Sequence, residues 1–143
     1  MFMGTSYNSI DEKNRMIVPS KHREQLGGRC VLTVGMDTCL YIYPMSEWEK
    51  QVEKMSQLPE TDQNVRKFIR NSFASAVECE FDKQGRIVIP AELKKRAHID
   101  KELVTMGAMR KIEVWSKEVW EDPDNDNQMD SNEYIETLTK YNF

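Results

Sequence analysis

Apolar positions along this chain fall into short groups, and the groups come back a second time. Met16-Ile17-Val18 is followed by Pro19, and the same arrangement returns at Ile87-Val88-Ile89 and Pro90. An unbroken apolar triplet predicts a strand covered on both faces. A proline directly behind it suits the start of a helix, so short helices are expected over 20–26 and 91–97. Gly27-Gly28 stops the first of them. Residues 31–34 and 39–43 then predict a hairpin around Gly35-Met36-Asp37, and 103–106 and 111–115 predict its counterpart turning at Gly107. Ser46 and Glu49 have the spacing of a capping box for a helix with Trp48, Val52 and Met55 on one face, ended by Pro59. Behind a cap at Thr61 or Asp62, the helical spacing of Val65, Phe68, Ile69, Phe73 and Ala76 predicts a core-facing stripe. Tyr7, Ser9 and Ile10 suit a first strand, and 76–81 the strand that opens the second half.

The repetition extends beyond the triplets. Asp11-Glu12-Lys13-Asn14-Arg15 precedes the first and Asp82-Lys83-Gln84-Gly85-Arg86 the second, at a spacing of 71 residues. At a spacing of 72 the match continues, with Gly35 on Gly107, Leu40 on Ile112, Ile42 on Val114, Tyr43 on Trp115 and Trp48 on Trp120. Two such units are too few for a solenoid, and each alone exposes strand edges and buries little. Interleaved halves sharing one core are expected: an α+β fold closing a small β-barrel with peripheral helices. The units are a first repeat over 1–60, a connecting helix over 61–76, a second repeat over 77–121, and an acidic linker with a last helix over 122–143. Residues 121–131 read as a flexible linker. Asp130 and Glu133 could cap a helix bearing Tyr134, Ile135, Leu138 and Tyr141, free to dock on the body or on another subunit.

Charge sharpens this picture. The net charge of −4 argues against a phosphate-rich partner until its distribution is seen. Residues 113–143 hold nine acids against Lys117 and Lys140, whereas 1–112 hold eighteen bases and fifteen acids. The cations gather around the repeated motif, giving a basic face with an acidic tail. The longest apolar run, 39–43, is far short of the roughly 18–20 residues that span a bilayer, and no basic-then-apolar leader is visible at the N-terminus, so neither a membrane nor a signal peptide is expected. Cys30, Cys39 and Cys79 are an odd number without a C-x-x-C pair, which suits buried reduced thiols in a cytosolic protein. His22 and His98 lack ligand-spaced neighbours and read as surface helix residues. No metal or cofactor is expected.

In each motif Asn14 or Gly85 can take the positive φ of a tight turn, and Asp11 or Asp82 can fold a carboxylate back onto the turn amides. That would present Arg15 and Arg86, whose planar fork can bond a guanine edge bidentately. Lys13 and Lys83 would reach phosphates, with Lys94, Lys95 and Arg96 as auxiliary phosphate contacts. A purely structural reading gives each turn an internal Asp–Arg pair, and the two readings are compatible. Enzyme signatures are missing from the sequence: it has no G-x-S-x-G, Gly-rich phosphate loop, H-E-x-x-H, or Cys with a matched His. The remaining rival is a protein-interaction scaffold without specific DNA binding, ring-forming if the family resemblance below holds.

The paired D-x-x-x-R motifs, each running into an apolar triplet and proline, together with the G-x-x-x-x-[LI]-x-[IV]-[YW] segment at 35–43, resemble the MraZ family of the wider AbrB and SpoVT-like group. The resemblance covers about residues 1–120. It implies tandem AbrB-like β-α-β repeats forming a pseudo-dimeric swapped-hairpin barrel. It further implies a cytoplasmic, nucleoid-associated bacterial transcriptional regulator that assembles into ring-shaped homo-oligomers. Such rings would bind direct repeats in double-stranded DNA upstream of the division and cell-wall gene cluster, including the regulator's own promoter.

Overall fold

A computed structural model describes residues 1–124 and 130–143. The first repeat gives β1 (Thr5–Ser9), β2 (Arg15–Ile17), α1 (Ser20–Leu26), β3 (Arg29–Val34), β4 (Leu40–Pro44) and α2 (Met45–Ser56). After α3 (Gln63–Ile69) and a π turn at Arg70–Ala74, the second repeat runs β5 (Val77–Glu80), β6 (Arg86–Val88), α4 (Ala91–Arg96), β7 (Glu102–Gly107), β8 (Ile112–Ser116) and α5 (Lys117–Glu121). The element α6 (Ser131–Lys140) closes the chain.

Six strands form an antiparallel sheet in the order β1-β7-β8-β4-β3-β5, while β2 and β6 pair with each other as a separate ribbon. This order reads the same from either end once equivalent strands are exchanged, so a local two-fold axis passes between β8 and β4. Each repeat sends its first strand to the other repeat's hairpin: β1 pairs with β7, and β5 with β3. The expected barrel is not formed. β1 and β5 lie at opposite edges of the sheet, and the ribbon strands pair only with one another, so no hydrogen-bonded ladder joins the two edges.

The central strands are buried on both faces, as their near-continuous apolar runs require. Leu32, Leu40, Ile42, Leu103, Ile112 and Val114 pack beneath Met16, Val18, Ile87 and Ile89 of the ribbon segments, with Leu26 and Leu93 from the short helices. On the other face of the sheet, Trp115, Val104 and Cys39 make a smaller cluster against Trp120 and Tyr41. The three cysteines are buried and free.

Five local expectations are corrected. The ribbon triplets are covered on one face only: Ile17 and Val88 remain 51% and 53% exposed because the sheet lies beneath the ribbon and nothing described lies above it. The helix α2 has no side-chain cap; it starts straight out of β4 with Pro44 as N-cap, which leaves Ser46 inside the first turn. Asp62 does cap α3, accepting from the Asn64 amide at 2.8 Å. That helix buries no residue, however: Val65, Phe68 and Ile69 are half-buried, and Phe73, in the π turn that follows, stacks on Trp48 at 5.8 Å instead of entering the core. His22 is buried at 1% exposure, since it occupies the position that Leu93 fills in the second repeat, and its ring edges onto Phe2. His98 is exposed but lies in the turn after α4 at φ 55. The capping box of α6 is present, with the Glu133 amide donating to Asp130 at 2.9 Å. Of the linker expected over 121–131, residues 125–129 lie outside the described ones.

Candidate nucleic-acid interface

The two Asp-to-Arg motifs fold into near-identical turns at one end of the ribbon's long axis each. Asp11 Oδ1 accepts from the amides of Lys13 and Arg15, both at 2.9 Å, and Oδ2 accepts from Arg15 Nε at 2.7 Å. Asp82 repeats the pattern with the amides of Gln84 and Arg86 at 2.9 Å and Arg86 Nε at 2.8 Å. Asn14 at φ 59 and Gly85 at φ 76 supply the left-handed residue each turn requires. Hydrogen bonds to the ionised carboxylate stabilise that form. The Arg15 amide, with its guanidinium and the Lys13 amide adding to it against some desolvation, therefore holds Asp11 below the usual carboxylate range; Arg86 and Gln84 do the same to Asp82.

The turns are also locked to one another. The Asn14 carbonyl accepts from the Ile89 amide at 2.7 Å, and the Gly85 carbonyl from the Val18 amide at 3.1 Å. Each short helix then sends a base to the turn of the other repeat. Lys94 Nζ donates to Asn14 Oδ1 at 3.1 Å. Arg23, its equivalent at the spacing of 71, lays its guanidinium over Gly85, so closely that a Cβ there would overlap it. Arg86 Nη1 further approaches Asp11 Oδ2 at 3.7 Å, and the reverse contact from Arg15 to Asp82 is absent among the described residues.

The resulting surface holds Arg15 and Arg86 with their Nε atoms fixed and side chains 28% and 23% exposed. An arginine tethered by Nε can still turn terminal N–H groups toward a partner in a defined direction, although Nη1 of Arg86 also faces Asp11. Lys13 and Lys83 are exposed in the same turns, and Lys95 is exposed on α4. Of the other expected phosphate contacts, Lys94 joins this cluster. Arg96 does not: its Nη2 donates to Asn71 at 2.9 Å, at the π turn. Arg23 was absent from the expected set. The signal for it was the duplication itself, which maps it onto Lys94. Among the described residues no group of His, Cys, Asp or Glu could hold a metal ion, and no helix is long and apolar enough to cross a membrane.

Comparison with known proteins adds two findings. The family described as "MraZ protein, putative antitoxin-like" matches the chain twice, over residues 1–71 and 72–142. Proteins named "Transcriptional regulator MraZ" are similar along almost the whole length. One from Pediococcus pentosaceus is 45% identical over 141 residues, covering 99% of each chain. One from Clostridium tetani is 46% identical over 140 residues, covering 98% of each, and one from Caldanaerobacter subterraneus is 44% identical over 142 residues, covering 99% of each.

Proposed function

This chain belongs to the MraZ family, and we propose that it is a sequence-specific DNA-binding transcriptional regulator that reads DNA with the outer face of its β2–β6 ribbon. The observation that carries this reading is the pair of arginines on that face, each aimed by an aspartate of its own turn and left part-exposed. A two-stranded ribbon fits the major groove, and a bidentate arginine on guanine is worth about 1–3 kcal/mol of discrimination. Lys13, Lys83, Lys94 and Lys95 surround the arginines with charge for phosphates, which position the protein without specifying sequence. Asn14 and Gly85 shape the turns that carry these contacts.

The chain's exchange of first strands between repeats suits an AbrB-like swapped-hairpin pseudo-dimer, with repeats over 1–60 and 77–121, a connecting helix over 61–76 and a tail over 122–143. One ribbon is a small footprint. A ring of copies would set several ribbons against direct repeats in promoter DNA, making later contacts intramolecular and raising avidity about a hundredfold or more. The proposed targets are repeats upstream of the division and cell-wall genes, including the regulator's own promoter, in the bacterial cytoplasm at the nucleoid. The exposed Tyr134, Ile135 and Leu138 of α6, with Tyr141 at its C-cap, favour a second reading, a scaffold for protein contacts.

A gel shift with repeat-containing promoter duplex separates the two. Arg15→Ala and Arg86→Ala are expected to weaken binding about tenfold or more each while the assembly keeps its size. Unchanged affinity in both variants would return the turns to a structural role and leave the scaffold reading.

A further inference from the structure

The outer face of the ribbon carries more than its arginines. Pairing sets Arg15 opposite Val88, Met16 opposite Ile87 and Ile17 opposite Arg86. Side chains alternate along a strand, so Met16 and Ile87 point inward, at 0% and 1% exposure. Arg15, Ile17, Arg86 and Val88 share the other face. It is a four-residue patch with a guanidinium and a branched aliphatic group on each strand, diagonal to their counterparts.

A single exposed aliphatic residue needs no explanation. Here there are two, at equivalent places in the repeats, half-exposed beside the residues proposed to enter a groove. Directly opposed side chains on such a ribbon sit about 4.5–5.5 Å apart. Residues two apart on one strand are separated by roughly 7 Å, about two base-pair steps of stacked DNA. A ribbon that brings Arg15 and Arg86 to guanine edges therefore carries Ile17 and Val88 to base edges as well. An aliphatic group there offers no hydrogen bond. The apolar group that the major groove presents is the C5-methyl of thymine.

We propose that Ile17 and Val88 are specificity-determining residues that recognise thymine through its methyl group, within about two base pairs of the guanines read by Arg15 and Arg86. This rests on the DNA-reading assignment above. It makes the recognised sequence a mixture of guanine and thymine contacts, and makes the ribbon alone the reader of both.

The test uses the full chain and a duplex selected by it from a randomised library. Each thymine of the selected site is replaced in turn by deoxyuridine, which removes only the methyl. Wild-type protein is expected to lose about fourfold in affinity at one or two of these positions, the value of burying one methyl group. Ile17→Ser or Val88→Ser is expected to bind more weakly and to become indifferent to the replacement at its own position. The wild-type scan decides even where a serine variant folds poorly. No sensitivity to any replacement, or the same sensitivity in wild type and both variants, overturns the proposal while leaving the arginine contacts intact. A selection that yields no common sequence, or undiminished binding by Arg15→Ala and Arg86→Ala, overturns the DNA-reading assignment itself and this proposal with it.

Discussion

The first and second turns carry the same hydrogen bonds on different residues, and that separates what the geometry requires from what it tolerates. Both keep an aspartate that collects two amides and an Nε, an arginine in the strand behind it, and a left-handed residue whose carbonyl anchors the opposite repeat. The cations differ in place. The first turn has Lys13 in its third position and Glu12 in its second, while the second turn has Lys83 in its second. The phosphate contacts proposed for these lysines would tolerate such shifts, because a point charge on a long stem needs no fixed direction. The left-handed residue also differs. Asn14 accepts Lys94 through its side chain, whereas Gly85 has none and the Arg23 guanidinium lies over it. One fold thus solves the same contact twice, once by hydrogen bonding and once by close approach.

This contrast predicts that the two positions are not interchangeable. Gly85→Ala introduces a Cβ both into a left-handed backbone and into the space of Arg23. A loss of about 1–2 kcal/mol is expected from the backbone alone, seen as a melting temperature lower by about 3–8 °C. Asn14→Gly keeps the backbone comfortable and gives up only the Lys94 contact, so its melting temperature should move by less than half as much. Equal shifts in the two variants would mean that the cross-repeat contacts are incidental.

A smaller difference is expected in acid. Both aspartates have depressed pKa values. A carboxylate depressed on folding contributes stability above its unfolded pKa, about 3.9, and that contribution disappears as pH falls through the folded value. The turns should therefore stay ordered into the range where free aspartate is already protonated, and come undone only below it. Asp11 lies within reach of both guanidiniums and Asp82 of one. In a carbon-13 titration of the carboxyl groups both midpoints should fall below the free value. A midpoint at the free value for either would remove its role in aiming the arginine.

Much of this was legible in the residues. The order of strands and short helices, the two turns and the last helix follow from apolar runs, prolines and left-handed residue types, which are local signals. The open sheet was not legible, because nothing local says that β1 and β5 end at opposite edges and not against each other. Ile17 and Val88 misled for a related reason. A run of three apolar residues looks the same whether the middle one is buried or held out for a partner. The histidine at 22 and the arginine at 23 were readable only through the duplication, by setting them beside Leu93 and Lys94. That comparison carries tertiary information, since equivalent positions in an interleaved pair occupy equivalent environments. The stripe of α3 was only partly legible: Val65, Phe68 and Ile69 end half-buried, and the π turn that follows changes the register for Phe73 and Ala76, whereas helical spacing assumes one register throughout.

The proposed base reading depends on arginine Nη groups reaching guanine edges. Replacing each guanine of a selected site by 7-deazaguanine removes the N7 acceptor and little else. Wild-type protein should lose about tenfold or more at specific guanines, with the loss at one of them vanishing in Arg15→Ala and at another in Arg86→Ala. Undiminished binding to the fully substituted duplex would contradict the claim that these two arginines read bases.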